Sequence, residues 1–414
     1  LFLAAVWGTV PAAVKVLDVT DFYSERGGGI RSHLAAKGRA LSALGIDHVT
    51  LAPGPSDSDE PLDAPVAERQ SSTGLARVVR VRGVRQPYDP TYHFLSRTKQ
   101  ASAIIRAECP DVIELNSLYL AALTVRRVPR EIGPVRTAFW HSDHIDTFLT
   151  PVLQRWGGAG VARGGAAPFW AATRALLARC DATVCASRWQ RDKLEAHGIP
   201  RVRYVPFGVD KRVFTPNARD PELRRALIGT AAPESRLIVG VGRLSMEKRW
   251  RLVLEAFFRV REQVPAVLVL FGDGPERATL EALAAGRTDV RFAGFVTSRE
   301  ELARSLASAD LLVHGCPFET FGLGIAEAVA CGLPVVVPDR GGASESVSGV
   351  SGGVYPAEDV GACAAAMSRL LALPETQLHE ATRAAAERVS TTEAHFSRVG
   401  ELYRELLAEK QAQG

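Results

Sequence analysis

From Pro317 to Ala328 the chain reads PFETFGLGIAEA, which sets two carboxylates, Glu319 and Glu327, around a glycine-bearing helix start. The first N–H groups of a helix lack internal partners and carry positive partial charge, so those of Gly322–Ile325 can take phosphate oxygens. The two carboxylates then remain to bind hydroxyl groups, one on a sugar and one on a ribose. Glu327 falls among Ile325, Ala326 and Ala328, where an unpaired charge is costly to bury. A structural salt bridge is the competing explanation.

Upstream, Gly242-Arg243-Leu244-Ser245-Met246-Glu247-Lys248 leaves an apolar strand-like run. A guanidinium can fork onto phosphate and an ammonium adds a point charge. Arg243 and Lys248 therefore suit a diphosphate leaving group that gains charge as its bond breaks. Paired with Glu247 or another neighbour, they would be a surface ion pair. Phe271-Gly272-Asp273-Gly274 turns out of the next strand, and Gly272 allows close backbone approach at the same sheet edge; plain turn chemistry explains it equally well. Near the other end, Gly27-Gly28-Gly29 opens a helix after the first strand, again with room for a ligand against the backbone. Its spacing is neither G-x-G-x-x-G nor a P-loop. His141 follows a strand within Trp140-His141-Ser142-Asp143-His144; the end of a strand suits a ligand contact, although a lone histidine is as often structural. Asp143 and His144 rank below it. Asp57-Ser58-Asp59 has the D-x-D form that holds divalent ions. It reads as a solvated loop, and with two cations and a helix end available no metal is expected.

Strand ends must carry these groups. Strand-like runs alternate with amphipathic helices throughout, and AVLVLF (266–271) and LPVVVP (333–338) are apolar without alternation, as strands buried on both faces are. The pattern predicts an α/β protein of two facing, doubly wound, Rossmann-like parallel-sheet domains, at residues 14–214 and 236–385. A linker rich in Pro, Ala and charge is expected at 215–235. In the tail, 386–414, Phe396, Val399, Leu402 and Leu406 recur at helical spacing, and this helix is expected to cross back onto the first domain. Ligands of such sheets lie beyond the strand carboxyl ends, so the interdomain cleft is the expected site.

At 414 residues the chain suits two domains, each with a full core. Residues 1–216 hold 28 Lys and Arg against 20 Asp and Glu, whereas the remainder holds 22 against 26. The basic half could meet an anionic acceptor or a membrane surface. Six cysteines without CxxC spacing read as reduced and the chain as cytoplasmic. Leu1–Ala13 is apolar but too short to span a bilayer, and reads as an extension rather than a signal peptide. No other stretch suits a transmembrane helix.

Together, GGGI, GRLSMEK, FGDGPE and the E-x7-E segment FETFGLGIAEAVACGLPVVVPDRGGASE resemble the large retaining glycosyltransferase family numbered four, which has the GT-B fold. VPFGVD at Val205–Asp210, followed by Phe214, is similar to that family's interdomain motif, and the resemblance covers nearly the whole chain. It implies a donor diphosphate on Arg243 and Lys248, the transferred sugar's hydroxyls on Glu319 and the ribose on Glu327. Gly28 and Gly29 would approach the donor across the cleft, and the backbone at Phe295 and Val296 would meet the base. Gly272 and the helix start at Phe321, Gly322, Leu323 and Gly324 would also face the donor. His141 matches a histidine that the family places near the sugar. The implied reaction is hexosyl transfer from a nucleotide sugar with the anomeric configuration retained and no cofactor. No nucleophilic carboxylate stands out, which favours attack from the leaving-group face. Trp140–Asp143 and the GGGI loop resemble mannosyltransferases and point to GDP-mannose, with UDP-glucose or UDP-GlcNAc as alternatives. The acceptor would be a glycan, lipid or small-molecule hydroxyl, nucleic acid is not expected as a partner, and contact with an anionic membrane would be peripheral, at its inner face. Rival readings are a nucleotide-sugar epimerase, which needs further acid–base carboxylates, a phosphorylase, which needs a pyridoxal lysine, and a binding module without turnover.

Overall fold

The computed structural model describes residues 14–24, 29–62, 76–87, 91–347 and 352–413; the extension 1–13 and Gly28 lie outside them. In chain order the first half supplies β1 (Lys15–Val19), β2 (Asp47–Gly54), β3 (Ser58–Pro61), β4 (Ala76–Arg82), β5 (Val84–Arg85), β6 (His93–Phe94), β7 (Val112–Leu115), β8 (Val135–Phe139), β9 (Ala182–Cys185) and β10 (Val202–Tyr204). Apart from the β5–β6 pair they form one sheet, ordered β10-β9-β8-β7-β1-β2-β4-β3. All of its pairings are parallel except that of β3, which lies antiparallel at the edge. The second half supplies β11 (Arg236–Val241), β12 (Ala266–Phe271), β13 (Val290–Gly294), β14 (Leu311–Val313), β15 (Val335–Pro338) and β16 (Gly352–Tyr355), in a parallel sheet ordered β13-β12-β11-β14-β15-β16. Every residue of β12 is buried, as its uniformly apolar sequence requires. Strand order reverses between β1 and β7 and again between β11 and β14, and each reversal opens a crevice at the strand carboxyl ends.

The helices are α1 (Gly29–Ala43), α2 (Thr98–Glu108), α3 (Leu120–Arg126), α4 (Thr150–Leu177), α5 (Arg188–Ala196), α6 (Pro221–Ile228), α7 (Trp250–Arg261), α8 (Arg277–Leu283), α9 (Arg299–Ala307), α10 (Leu323–Ala330), α11 (Val360–Leu371), α12 (Glu375–Arg388) and α13 (Thr392–Gln413). The last packs Val399, Leu402, Tyr403 and Leu406 against Val16, Val112 and Val135 of the first sheet. The chain therefore crosses between domains twice, and the crossings touch. Val209 and Thr391 form a parallel bridge. A Cβ at Gly208 would sit 1.9 Å from the Thr391 carbonyl oxygen, so no side chain fits there.

Two expectations need correction. Residues 215–235 are not a free linker. Asp220 caps α6 by accepting from Glu222 and Leu223 N–H, both at 2.9 Å, and Pro221 occupies the first turn where its missing N–H does no harm. Arg224 then anchors this helix to Asp310 at 2.7 Å. Val209 and Phe214 already belong to the core of the second domain, so the chain enters that domain before residue 214. The D-x-D motif is likewise not a free loop: Ser58 and Asp59 open the edge strand β3, Asp57 just before it accepts the Arg82 N–H at 2.6 Å, and Asp59 pairs with Arg77 at 2.5 Å.

A π-turn at Ile145–Leu149 leads into α4, where Gly157 and Gly158 break the helix into two arms. Gly158 has φ +74° and ψ −172°, a conformation open essentially to glycine alone. Among the described residues no helix is long and apolar enough to cross a membrane. All six cysteines are free, and only Cys109 is exposed.

The core of the first domain contains charge. Lys37 of α1 is fully buried and donates to Asp18 of β1 at 2.8 Å and Glu114 of β7 at 2.7 Å. His48 closes on the other oxygen of Asp18, and Tyr403 of α13 donates to Glu114 at 2.9 Å. Burial alone would lower the lysine's pKa; the two carboxylates outweigh it and raise it. Lys37→Met should strand those carboxylates and cost about 3–5 kcal/mol. Urea unfolding would measure this, and a loss below about 1 kcal/mol would refute the assigned role.

Candidate active site

The β11 carboxyl end is shaped by Trp250 of α7, which is fully buried and lies under the strand. A Cβ at Gly240 would approach its ring to 2.6 Å, which explains a glycine in an otherwise aliphatic strand. The indole N–H donates to the Arg243 carbonyl at 2.7 Å and fixes the backbone where that side chain departs. Gly272 lies so close to this turn that a Cβ would meet the Gly242 carbonyl oxygen at 1.9 Å. Backbone packing therefore accounts for Gly272, which is not among the residues lining the cleft.

The next strand, β14, delivers His314, Cys316 and Glu319. Lys248 reaches across from the β11 loop and forms an ion pair with Glu319, and the His314 ring lies 3.3 Å from the same carboxylate oxygen. Burial would raise the Glu319 carboxyl; Lys248 and His314 outweigh it and hold the group ionised, well below the usual range. Lys248 is correspondingly held charged. One atom each from His314, Cys316 and Glu319 lie within 4.8 Å of one another, a spacing a metal ion could use. The Lys248 ammonium already faces that carboxylate, so a cation there would have to displace it. The Glu319 loop is braced by Gly341-Gly342: the Gly342 N–H donates to the Glu319 carbonyl at 2.7 Å, and Gly341 adopts φ +83°.

Gly322, at φ +87°, caps α10 without a side chain. The Ile325 N–H is bonded to the Gly322 carbonyl at 3.0 Å, so the donors available to a ligand are fewer than the sequence predicts. Phe321, Gly322 and Leu323 line the cleft; Gly324 does not. Glu327 is 3% exposed and pairs with Arg299 of α9 at 2.7 Å. Burial keeps its carboxyl above the ordinary range even so. Of this pair it is Arg299 that lines the cleft. Phe295 and Val296 also stand back from the cleft, and Thr297 lines it in their place.

Across the cleft, of about 2180 Å³, His141 follows β8. Its ring stacks on Phe139, with centroids 4.4 Å apart. Its Nε2 lies 2.6 Å from Oδ1 of Asn116, whose amide donates to Asp18 at 2.8 Å. A carbonyl oxygen only accepts, so Nε2 carries the proton and Nδ1 keeps its lone pair. Burial lowers the pKa of His141 to about 3, leaving it neutral. Asp143 is buried against Lys193, and His144 stacks on Phe22. Gly29 lines the cleft, with nothing within 4 Å of an added Cβ.

Sequence reasoning missed several groups. His33 and His395 line the cleft beside His141, and the Nε2 of each has no hydrogen-bond partner among the described residues. Thr320 donates its hydroxyl to the His141 carbonyl at 2.8 Å, joining the Glu319 loop to the first domain. Glu345 accepts from the Arg188 and Trp189 N–H groups at 3.0 and 2.5 Å, placing a carboxylate of the second domain on the N-terminus of α5. These partners lie 156 or more positions apart in sequence, and no local pattern marks them.

Two facing doubly wound domains, whose reversal-point loops bring a cation–carboxylate cluster and a neutral histidine into one cleft, define a glycosyltransferase of the GT-B class. Residues 27–213 match the family model described as Glycosyltransferase Family 4, and residues 235–373 the model described as Glycosyl transferases group 1. The chain is 30% identical over 375 residues, 90% of its length and 92% of the relative's, to GDP-mannose-dependent alpha-(1-6)-phosphatidylinositol dimannoside mannosyltransferase of Mycobacterium tuberculosis. It is 35% identical over 272 residues, 65% of its length and 67% of the relative's, to GDP-mannose-dependent alpha-mannosyltransferase of Mycolicibacterium smegmatis. Among solved structures, sucrose-phosphate synthase from Thermosynechococcus elongatus shares the fold with a TM-score of 0.74 at 20% identity, over 95% of this chain and all of that one. The chain belongs to glycosyltransferase family four and is a nucleotide-sugar glycosyltransferase.

Six histidines, His33, His141, His144, His197, His314 and His395, have pKa values lowered mainly by burial, those of His141, His144 and His395 to about 3, 4 and 4. The unfolded chain therefore binds more protons than the native one below about pH 6.5, and stability should fall on acidification through that window. The raised carboxyls of Asp21 and Glu327 act in the opposite sense but are fewer. Melting temperatures between pH 7.5 and pH 4.5 would check this; a flat profile would contradict it. Glu345→Gln should weaken domain closure, seen as a larger radius of gyration in solution scattering with turnover lowered several-fold. An unchanged radius would remove the contact from the closing mechanism.

Proposed function

We propose that this protein transfers a mannosyl residue from GDP-mannose to an acceptor hydroxyl, with the α-anomeric configuration retained and without a metal ion. The Lys248–Glu319 ion pair beside Arg243 at the β11/β14 crevice, facing His141, carries this reading. The donor diphosphate takes Lys248 and Arg243, which frees Glu319 to accept hydroxyls of the transferred sugar. The His141 Nδ1 lone pair can accept a further hydroxyl. As the bond from the anomeric carbon to the phosphate oxygen breaks, its electron pair goes to the diphosphate, where two cations offset the growing charge. The acceptor oxygen bonds to the same face of that carbon, and its proton passes to the departing phosphate oxygen.

The sugar and the base rest on the relatives, whose names specify GDP-mannose. Metal independence rests on Lys248 and Arg243, fixed cations that supply the charge a divalent ion would bring. Ribose binding by Glu327 requires Arg299 to shift, so Arg299 belongs to the proposed donor site. The acceptor is a glycan or lipid hydroxyl. An epimerase would need free acid–base carboxylates, and Asp21, which lines the cleft, is engaged by Ser117 and the Ala121 N–H.

Arg243→Ala with Lys248→Ala should lower kcat by several orders of magnitude, since one preorganised donor at a developing charge is worth about 10²–10³. Near-normal turnover would exclude the role. GDP or GDP-mannose at about 100 times its Kd should stabilise the fold by about 2.7 kcal/mol. Stabilisation by UDP and not by GDP would replace the donor. Chelation with EDTA should leave turnover unchanged, and NMR of the early product should show the α-anomer.

A further inference from the structure

The two arms of α4 and the turn before it carry apolar side chains that the fold does not use. Within α4 the buried residues are Ala162, Ala166, Trp170 and Leu177. Ahead of the glycine break, Phe148, Val152 and Trp156 recur at four-residue spacing, which aligns them on one helix face, and they are 53, 54 and 87% exposed. Val161 and Phe169 on the second arm are also exposed. The arms close on each other through small residues: a Cβ at Gly165 would lie 2.7 Å from Leu153, and one at Gly157 2.4 Å from Val161. Trp170 turns inward, and Phe148, Trp156 and Phe169 are left on the outside.

The charge on this hairpin has one sign. No Asp or Glu occurs from Thr147 to Cys180, while Arg155, Arg163, Arg174 and Arg179 are all exposed. A second copy of the chain is a poor occupant, because a two-fold contact sets the patch against itself and brings like charges together. An interfacial Trp and Phe flanked by arginines, without carboxylates, fit the headgroup region of an anionic bilayer. Thr147, Phe148 and Leu176, at the hairpin's root, also line the cleft.

We propose that the hairpin formed by residues 147–177 seats this protein on an anionic phospholipid surface, with the mouth of the cleft opening beside that surface. Aromatic tips insert at headgroup depth, and the arginines pair with lipid phosphates. The proposal stands on this surface alone and not on the donor assigned above.

The test is sedimentation of the full chain with vesicles of phosphatidylcholine alone or mixed with phosphatidylglycerol. The protein should partition onto the mixed vesicles and not the neutral ones, and added salt should weaken binding. Trp156→Ser with Phe169→Ser, and separately Arg155→Gln with Arg163→Gln and Arg174→Gln, should each lower the partition coefficient at least about tenfold. Melting temperature and GDP binding should be unchanged, since these side chains neither pack in the core nor line the cleft. Absence of binding to the mixed vesicles, or equal binding by both variants, would overturn the proposal. So would a lipid-free dimer that both variants abolish, because it would give the face to a second copy. Vesicle binding is read without donor, so its failure leaves the transferase reading untouched.

Discussion

The first domain is organised around a single buried ammonium. Lys37 holds Asp18 and Glu114 together in a core that excludes water, a group tolerable only when every charge is met. Six elements converge there: α1 brings the lysine, β1 and β7 the carboxylates, β2 the His48 ring, β8 the Thr137 hydroxyl and α13 the Tyr403 hydroxyl. The consequence reaches the cleft. Because Asp18 can only accept, it dictates which end of the Asn116 amide turns towards His141, and hence which histidine nitrogen keeps a lone pair. A charge balance in the core thus sets the chemistry of a side chain at the surface of the site.

The second domain positions its groups by different physics. Gly240 leaves room for the Trp250 ring, while Gly272 and Gly341 lie against the backbone of Gly242 and Glu319, and this close packing fixes where Arg243 and Glu319 leave the chain. Among the described residues the halves then meet through few polar contacts, notably Thr320 on the His141 carbonyl and Glu345 on the start of α5. Such contacts are short in range and limited in number, as a cleft that opens and closes requires.

Much of this was legible in the sequence. Parallel strands buried on both faces leave uniformly apolar runs, so AVLVLF and LPVVVP mark β12 and β15 in the sequence itself. Arg243, Lys248, Glu319 and His141 all line the cleft, and their places near strand ends are what the sequence makes readable. The partners were not legible. Nothing local in the sequence says that Glu327 is met by Arg299, 28 positions earlier on another helix, or that Lys248 faces Glu319. Gly272 was read as room for a ligand, whereas its space is filled by a neighbouring backbone. The helix α6 was hidden because Pro and Asp read as a break, although Asp before Pro is also a helix start. Five glycines and two prolines within α4 disguised its two arms.

The touching crossings at Gly208 and Thr391 have a consequence for synthesis. Val16, Val112 and Val135 belong to strands made early, yet the helix that covers them begins at Thr392. At about 5–20 residues per second, the ribosome needs roughly 10–40 seconds between completing the first sheet and supplying that helix. During that interval the nascent sheet presents an uncovered apolar face, while the second domain can fold in full. The domain that starts first is therefore the one that finishes last.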